Sequence, residues 1–220
     1  NFKFFFGNPD EYTFIALLPG YNNNKNSSLI FMMNHLISQS NSKDSGFYFQ
    51  NQKELFECLK RLKYKKQKTF LIGVTHALLK FSEEFKIFFP ELLVIETGGM
   101  KGMGKEITRE EVHKVLNECF GTNNIMSEYG MTELMSQAYS LSEGRFKCPP
   151  WMKISIRDIY DPFTELKNGS SGIIKITDLA NIHSCPFIET GDIGRLANDY
   201  FTVEGRADNT EIRGCNLLSV

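Results

Sequence analysis

The stretch SEYGMTE, residues 127–133, is the segment around which the predicted fold is organised. A short run with an apolar end, residues 123–126, precedes it and is typical of the end of a buried strand. Gly130 supplies the backbone freedom that a tight turn needs. We expect a helix to follow from Thr132 to about Ser140. The stretch therefore predicts a strand that turns directly into a helix.

The residues of this turn are suited to binding an anion. The N-terminus of a helix directs backbone N–H groups and a positive dipole at one point. Thr132 adds a hydroxyl donor there, and Glu133 adds a carboxylate that could hold a magnesium ion shared with phosphate oxygens. Tyr129 offers a flat face for a base or another ring. The alternative is an ordinary strand–helix turn with a tyrosine in the core.

Length and composition limit the class of protein. The 220 residues, 41% hydrophobic and 23% charged, suffice for one large domain or two small ones. The formal net charge of −1 provides no overall field that would recruit nucleic acid or an anionic membrane. The longest apolar runs, residues 12–18 and 70–74, are far too short to span a bilayer. Because the chain begins at Asn1 rather than methionine, we expect it to be part of a longer sequence.

The five cysteines are odd in number and widely scattered, without a C-x-x-C pair. This pattern fits neither a disulfide framework nor a zinc site. His183 and Cys185 could be two metal ligands, but nothing near them in the sequence completes the set. Free thiols indicate a reducing cytoplasm.

Strands and helices are expected to alternate through the first part of the chain. The connections are too short for separate domains, so the alternation predicts a largely parallel sheet covered on both faces. Thr108 and Glu111 have the spacing of a capping box, and Gly121 is placed to end that helix. The expected strands are residues 12–18, 47–49, 69–74, 92–95 and 124–126, and the expected helices lie at about 28–37, 55–62, 76–88, 108–121 and 132–140.

The character of the sequence changes after residue 143. Turn residues separate short strand-like segments from there on, and no helical period is evident. We therefore assign residues 1–143 to an α/β subdomain and residues 144–220 to a small β-rich subdomain. The expected strands of the second part are residues 153–158, 172–178, 191–196 and 200–203.

Two further segments resemble functional motifs. Residues 60–68 are basic and include an aromatic residue, as a nucleic-acid-binding patch would. Cations are also favoured at the C-terminus of a helix, and we interpret the segment as such a solvated helix end. Residues 99–106 resemble a Walker phosphate loop, but Glu106 occupies the position where Ser or Thr would bind magnesium. A close approach of Gly98 and Gly99 to the flat face of a ligand is favoured instead, because glycine lets the backbone come near.

Two later motifs accompany the central stretch in a definite order. They are TGD at residues 190–192 and GRADN at residues 205–209. Together with SEYGMTE they resemble the ordered signature of the adenylate-forming superfamily. The whole chain is similar to the acyl-protein synthetase family, whose best-known member activates fatty acids for the reductase complex of bacterial bioluminescence. The similarity is carried, besides the central stretch, by ETGGMKG at 96–102, CPPW at 148–151, DLAN at 178–181 and RGCNLL at 213–218.

The resemblance implies a reaction in which a carboxylate attacks the α-phosphate of ATP, giving an acyl-adenylate and pyrophosphate. The acyl group would then pass to a thiol. ATP and Mg²⁺ are the implied cofactors, a carboxylic acid of the fatty-acid kind is the implied substrate, and an acyl-acceptor protein is the implied partner. The implied fold is the N-terminal domain of an adenylate-forming enzyme, present in part.

The resemblance also implies how the nucleotide would be held. Tyr129 would stack on adenine, and Asp192 would accept hydrogen bonds from both ribose hydroxyls. Arg206 would contact ribose or phosphate. The alternatives are a turn residue for Asp192 and a surface ion pair for Arg206. The implied nucleotide-binding residues are Gly98, Gly99, Met100, Tyr129, Gly130, Met131, Asp192 and Arg206.

The implied catalytic residues close the central stretch. Thr132 would donate a hydrogen bond to the α-phosphate, and Glu133 would hold the magnesium ion. Asp208 would lie at the hinge to a following domain. Cys215, the last cysteine, would carry the acyl group, the alternative being a small buried thiol.

The sequence departs from the superfamily pattern in several places. No Ser/Thr/Gly-rich phosphate loop precedes the first strand, and the Gly-Arg motif is shortened at residues 211–214. Ser127 stands where broader members carry an amide or an acid. The chain ends at Val220, where a domain with a catalytic lysine would be expected to begin. Two alternatives stay open: an acid–CoA ligase of the phenylacetate type, and a non-catalytic protein that binds an adenylate or a partner.

Overall fold

A computed structural model of the chain describes residues 1–18, 27–48, 51–98 and 107–207. The described residues divide into two compact units. Residues 2–128 form the first, here called the α/β unit. Residues 129–207, with Asn1, form the second, here called the β unit. The division follows Glu128, whereas the sequence pattern predicts that the β-rich part begins at Gly144.

The α/β unit is built on a parallel sheet. Its described strands lie in the spatial order β2-β1-β3-β4-β5, and each neighbouring pair is parallel. This confirms the predicted parallel sheet. The strands are β1 (Thr13–Leu17), β2 (Gly46–Tyr48), β3 (Thr69–Val74), β4 (Leu93–Thr97) and β5 (Ile125–Tyr129). The helices are α1 (Phe2–Phe6), α2 (Ser28–Gln39), α3 (Gln52–Tyr64), α4 (Thr75–Glu84) and α5 (Arg109–Phe120), with a 3₁₀ turn at Pro9–Glu11.

The central strands of this sheet are buried on both faces. Every residue of β1 and of β3 is buried, as expected where helices cover a parallel sheet on two sides. Phe14 and Phe70 stack across these two strands with their ring centroids 5.8 Å apart. Phe2 of α1 packs edge-on against both rings, so the N-terminal helix belongs to the same core.

Local capping signals fix the helix that leads into β5. Thr108 accepts a hydrogen bond from the N–H of Glu111, whose carboxylate accepts one from the N–H of Thr108, which confirms the capping box. Gly121 ends the helix with φ +62°, a conformation that favours glycine. A β-carbon at Gly121 would lie 2.4 Å from Cδ2 of Phe88, so a larger residue would have to displace that ring.

The helix expected at residues 76–88 is shorter in the structure, because α4 ends at Glu84. The N–H groups of Ile87 and Phe89 donate instead to the carbonyl oxygens of Cys119 and Phe120 at the end of α5. These donors satisfy carbonyl groups that a helix end leaves open. A tertiary contact thus replaces the last turn that the sequence predicts.

The basic segment at residues 60–68 forms the C-terminal part of α3 and the turn after it, as interpreted from the sequence. Four of its cations pair with carboxylates of the same unit. The pairs are Lys60 with Glu57, Arg61 and Lys65 with Asp44, and Lys68 with Glu11. These pairings support the interpretation of a solvated helix end.

The β unit is an antiparallel sheet. Its described strands follow the order β6-β7-β11-β10-β9-β8, and the core lies on one face, where Phe146, Phe201 and isoleucines of β8 and β9 pack together. A 3₁₀ turn, Leu179–Asn181, follows β9. The strands are β6 (Ala138–Ser140), β7 (Phe146–Lys147), β8 (Met152–Arg157), β9 (Ser171–Asp178), β10 (Phe187–Ala197) and β11 (Tyr200–Arg206).

The helix expected from Thr132 to about Ser140 is wrong. The structure has a turn at residues 132–133 and the short strand β6 in its place. Asp178 of β9 accepts hydrogen bonds from the backbone N–H groups of Met135 and Ser136, at 3.1 and 2.9 Å. These donors are therefore held by a distant side chain instead of by a helical turn.

Within the described residues, no helix is both long and apolar enough to cross a membrane. This agrees with the short apolar runs in the sequence.

The buried carboxyl group of Asp178 supports a stability prediction. It also accepts hydrogen bonds from Oγ of Ser136 and the N–H of Ala180, at 2.6 and 3.1 Å. We expect Asp178→Asn to lower the free energy of unfolding by at least about 2 kcal/mol, because an amide nitrogen cannot accept from these buried donors. Urea denaturation at neutral pH measures the loss.

Asp158→Asn is the matched control, because Asp158 also accepts two backbone N–H groups, those of Tyr160 and Asp161, but in an exposed turn. We expect it to cost less than about 1 kcal/mol, since solvent can replace lost partners there. Equal losses for the two variants would contradict the role given to Asp178.

Candidate functional site

In the β unit, residues from separate sequence motifs meet around Asp192. The hydroxyl of Tyr129 donates to Oδ2 of Asp192 at 2.8 Å. Nε of Arg206 lies 3.7 Å from Oδ1 of the same carboxylate. The central stretch and the two later motifs, recognised separately in the sequence, thus each contribute one residue to one cluster, called here the Asp192 cluster.

Tyr129 is held rigidly at one side of this cluster. Its side chain is buried among aromatic residues, with ring centroids 5.8 Å from Phe146 and 5.4 Å from Phe201. Burial first, and then the neighbouring carboxylate of Asp192, raise the pKa of Tyr129. The phenol therefore stays protonated and acts as a donor. The tyrosine serves as a core residue and as a positioning group for Asp192, and stacking on adenine stays a prediction.

Asp192 lies in an irregular part of β10. The register of β10 shifts against β9 between Glu189 and Ile193, and against β11 between Ile193 and Gly194. Oγ1 of Thr190 accepts a hydrogen bond from the N–H of Asp192 at 3.0 Å. Bulges of this kind commonly redirect a side chain beside a functional site.

The end of the central stretch forms a turn that exposes its polar side chains. Thr132 and Glu133 are both exposed, and the N–H of Leu134 donates to the carbonyl of Met131 at 3.1 Å. Asn181 donates to the carbonyl of Glu133 at 2.7 Å and so fixes the backbone of the turn. The helix dipole expected here is absent from the described structure, so an anion would have to be bound by side chains and turn N–H groups.

In the α/β unit, a second polar cluster lies at the carboxyl ends of β4 and β5. Glu96 is buried and accepts hydrogen bonds from Thr75 at 2.6 Å and from Nε of Arg109 at 3.2 Å. Burial by itself would raise the pKa of Glu96. The His113 imidazole, the Arg109 charge and the hydroxyls of Ser127 and Thr75 outweigh burial and lower that pKa.

This cluster is not arranged as a hydrolytic triad. Oγ of Ser127 lies 3.0 Å from Nε2 of His113, and Oε1 of Glu96 lies 3.8 Å from the same nitrogen. A triad requires the serine and the acid on different ring nitrogens. Ser127 is also fully buried. We therefore interpret the Glu96 cluster as a clamp between the sheet and helices α4 and α5.

Glu128 lies on the opposite face of the sheet from Glu96. The register pairs Glu96 with Ser127 and Thr97 with Glu128, and successive side chains of a strand point to opposite faces. Thr97 donates a hydrogen bond to the Glu128 carboxyl. Burial raises the pKa of Glu128 to about 7 despite that bond, and the charge of Glu96 adds to the increase.

Several predicted site residues lie outside the described residues. These include Gly99 and Met100, the Walker-like segment 99–106, Asp208 and Cys215. Gly98 is described, with φ +82°, and its carbonyl accepts a hydrogen bond from Thr75 at 3.0 Å.

Among the described residues, no group of three or more His, Cys, Asp or Glu is placed to hold a metal ion, His183 and Cys185 included. The described cysteines are free thiols, and those at 58, 119 and 148 are wholly or partly buried. Burial raises the pKa of Cys119 and of Cys148 to about 12. Thiols of this kind are poor nucleophiles.

The sequence predictions did not include Asp178, Glu96 or Glu128 among the important polar residues. Asp178 and Glu96 lie within longer motifs and Glu128 lies within the central stretch, and no individual role was predicted for them. A charged residue placed among apolar neighbours at a strand end was the available signal. The sequence contains no signal for His113 and Arg109, because both are typical of an ordinary helix surface.

No family model matches the sequence, and no curated protein matches it. Solved structures match its fold. MatB from Rhodopseudomonas palustris, solved with ATP bound, has a TM-score of 0.64 at 18% identity, over 93% of this chain and 42% of that one. O-succinylbenzoate coenzyme A synthetase (MenE) from Bacillus subtilis, in complex with ATP and a magnesium ion, has a TM-score of 0.66 at 17% identity, over 96% and 45%.

A long-chain-fatty-acid–CoA ligase (FadD1) from Archaeoglobus fulgidus has a TM-score of 0.55 at 15% identity, over 91% of this chain and 44% of that one. The chain therefore spans less than half the length of these proteins. At such identities the likeness is one of fold. It confirms the predicted fold class, an α/β fold with a β-rich part, which this chain shares with part of each of these solved proteins.

The raised pKa of Glu128 supports a prediction on pH dependence. Above its ordinary value of 4.5 the unfolded carboxyl ionises, whereas the folded one keeps its proton up to about pH 7. Stability from this group is therefore full below about pH 4.5 and lost as the pH rises through about 7. Glu128→Gln keeps an acceptor for Thr97 and removes the ionisation.

We expect Glu128→Gln and the unmodified protein to have similar free energies of unfolding at about pH 4.5. The advantage of the variant should then grow with pH and reach about 2–3 kcal/mol at about pH 8. Urea denaturation across this range measures the difference. The control Glu118→Gln removes an exposed carboxylate of α5 and reports the effect of net charge alone. A Glu128→Gln profile parallel to that of the control would contradict the prediction.

Proposed function

We propose that this chain provides the nucleotide-binding part of an enzyme that activates a carboxylic acid with ATP. The acid's carboxylate would attack the α-phosphate, forming an acyl-adenylate and releasing pyrophosphate. The observation that carries the proposal is the Asp192 cluster, because it unites residues of three separated motifs on a fold that ligases solved with ATP share.

The chemistry of the Asp192 cluster suits a nucleoside. A carboxylate accepts hydrogen bonds from two neighbouring hydroxyls, as ribose offers. Tyr129 occupies part of the acceptor capacity of Asp192 and orients it, while Arg206 supplies positive charge close to the same carboxylate. In the proposal, Arg206 reaches ribose or phosphate, and Tyr129, Gly130 and Met131 border the base. A role of Gly98, Gly99 and Met100 in nucleotide binding stays a prediction from the resemblance.

The exposed turn suits a metal-bound phosphate. Magnesium is commonly bound by one or two carboxylates together with phosphate oxygens and water, so a single exposed Glu133 fits this donor set. When bound, the ion would neutralise charge on the phosphates. Thr132 would donate its hydroxyl to the α-phosphate. Asp208 is proposed to lie at the hinge to a further domain.

The acyl acceptor has two candidates. The resemblance to acyl-protein synthetases favours a protein thiol, with Cys215 as the carrier and a fatty acid as the substrate. The second candidate is coenzyme A, because two of the structures with this fold are named as a CoA synthetase and a CoA ligase. Release of AMP that depends on added coenzyme A would favour the second, and a hydroxylamine-sensitive acyl group on the protein would favour the first.

Acid-dependent exchange of pyrophosphate into ATP tests the proposed reaction. We expect exchange that requires both Mg²⁺ and a carboxylic acid from a panel of aliphatic, aromatic and amino acids. Glu133→Gln should reduce the exchange by at least about tenfold, since it removes the proposed metal ligand. Binding of ATP to the folded protein without exchange, for every acid, would leave the non-catalytic alternative as the better account.

Binding of Mg²⁺-ATP tests the role of Asp192 separately. Asp192→Asn keeps an acceptor for Tyr129 but loses the charge and one acceptor position. We expect it to weaken binding by about 1–3 kcal/mol, or about 5- to 150-fold in Kd, measured by calorimetry.

Asp199→Asn is the matched control for this measurement. It removes an exposed carboxylate at the turn between β10 and β11 that pairs with Lys147. We expect its affinity for Mg²⁺-ATP to equal that of the unmodified protein. An unchanged Kd for a stably folded Asp192→Asn protein would refute the ribose assignment.

A further inference from the structure

Asn181 is a buried polar residue in an otherwise exposed segment of the β unit. It ends the 3₁₀ turn that follows β9 and is only 6% exposed, whereas residues 179, 180 and 182–185 are all exposed. Buried polar groups in folded proteins are almost always hydrogen-bonded, so the partners of Asn181 indicate why it is drawn inward. It closes the DLAN motif, residues 178–181, to which the proposed reaction assigns no residue.

The side chain of Asn181 joins two segments that are distant in the sequence. Its Nδ2 donates to the carbonyl oxygen of Glu133 at 2.7 Å and to that of Cys185 at 2.8 Å. Its Oδ1 accepts a hydrogen bond from Oγ of Ser184 at 3.1 Å. Both N–H groups of the amide are thus used, and the reversed amide would place an oxygen against two carbonyl oxygens. The arrangement therefore requires two donors from one short side chain.

The backbone of the exposed turn is held directly at Glu133 by this contact. Asn181 binds the carbonyl oxygen of Glu133, and Asp178 accepts from the N–H groups of Met135 and Ser136, which follow it. The position of a side chain depends on the backbone that carries it, and functional groups must be held within about 0.5 Å of their productive geometry. Asn181 therefore limits where the carboxylate of Glu133 can lie.

We propose that Asn181 is the positioning residue for Glu133 as a magnesium ligand. It acts through the backbone carbonyl of Glu133 and would contact neither the nucleotide nor the metal ion. The inference rests on the proposed function, in which Glu133 holds an ion shared with phosphate oxygens. It gives the end of the DLAN motif a task in the same site.

The effect of Mg²⁺ on ATP affinity tests this role without catalysis. The Kd of ATP is measured by calorimetry in EDTA and in Mg²⁺, and the first value divided by the second, here called the magnesium ratio, reports metal-mediated binding. Asn181→Leu keeps a similar shape, adds no charge and removes both donors. We expect it to lower the magnesium ratio by about tenfold, because a small displacement of a functional group is costly. The Kd in EDTA should stay the same, since no contact with the nucleotide is removed.

A double-mutant cycle separates positioning from a merely structural role. Glu133→Gln should lower the magnesium ratio by itself, and adding Asn181→Leu should lower it no further, because the group that Asn181 positions has gone. Thr122→Val is the matched control, since its buried hydroxyl also bonds to two carbonyl oxygens, those of Pro90 and Leu92, but in the α/β unit. We expect this control to lose stability and to keep the magnesium ratio unchanged.

Asn181→Ser, which keeps one donor, replaces Asn181→Leu if the latter does not fold. We expect its magnesium ratio to fall in the same direction. A folded Asn181 variant with the magnesium ratio of the unmodified protein would overturn the inference, as would losses that add in the double variant. If the ATP affinity of the unmodified protein does not depend on Mg²⁺, the inference is wrong together with the metal-binding role of Glu133.

ATP–pyrophosphate exchange distinguishes a failure of this inference from a failure of the proposed reaction. We expect Asn181→Leu to raise the Mg²⁺ concentration for half-maximal exchange by about tenfold. The expected magnesium ratios without exchange for any acid would support the positioning role and contradict adenylation. Exchange that Glu133→Gln reduces and a folded Asn181→Leu leaves unchanged would overturn the positioning role and leave adenylation standing.

Discussion

The conformation at the end of the central stretch depends on the hydrogen bonds that the carboxyl group of Asp178 accepts. This carboxyl group is fully buried and accepts hydrogen bonds from the segment that directly follows Glu133. Because β9 holds these donors, the segment cannot continue as a helix, and Thr132 and Glu133 are presented on an exposed turn. The described structure therefore has no helix N-terminus at this turn, and an anion bound here would be held by hydroxyl and turn N–H groups.

Two carboxyl groups on neighbouring strands show how the surroundings of an acid determine its ionisation. Glu96 and Glu128 both lie at strand ends, but the sheet divides their surroundings. Glu96 faces α5, where the Arg109 guanidinium compensates its charge and, together with the nearby His113, connects the helix to the sheet. Glu128 lies on the opposite face of the sheet and accepts a hydrogen bond from the hydroxyl of Thr97. The partners of Glu96 therefore hold it in the ionised form, whereas burial favours the protonated form of Glu128.

The sequence predicted those features that local interactions determine. The parallel strands, the capping box at Thr108 and the glycine that ends α5 follow from patterns of a few residues, and all are present. The errors fall where distant groups take over backbone donors, as at residues 85–89 and 132–140, and the short strands β6 and β7 depend on partners rather than on their own residues. For the site, ordered motifs pointed to Tyr129, Asp192 and Arg206, but no pattern could show that these side chains touch each other.

Contact between Asp192 and Arg206 depends on a single extra residue. Gly194 pairs with Val203, and a regular hairpin would continue from there to place Arg206 opposite Gly191, pointing to the other face of the sheet. The bulge between Ile193 and Gly194 shifts the register by one residue, so that Arg206 stands opposite Asp192 and on the same face. Gly205 lies next to this bulge with φ +156°, which glycine adopts without strain. The glycine before the arginine thus has a physical reason: it permits the irregular register that brings a cation to the carboxylate.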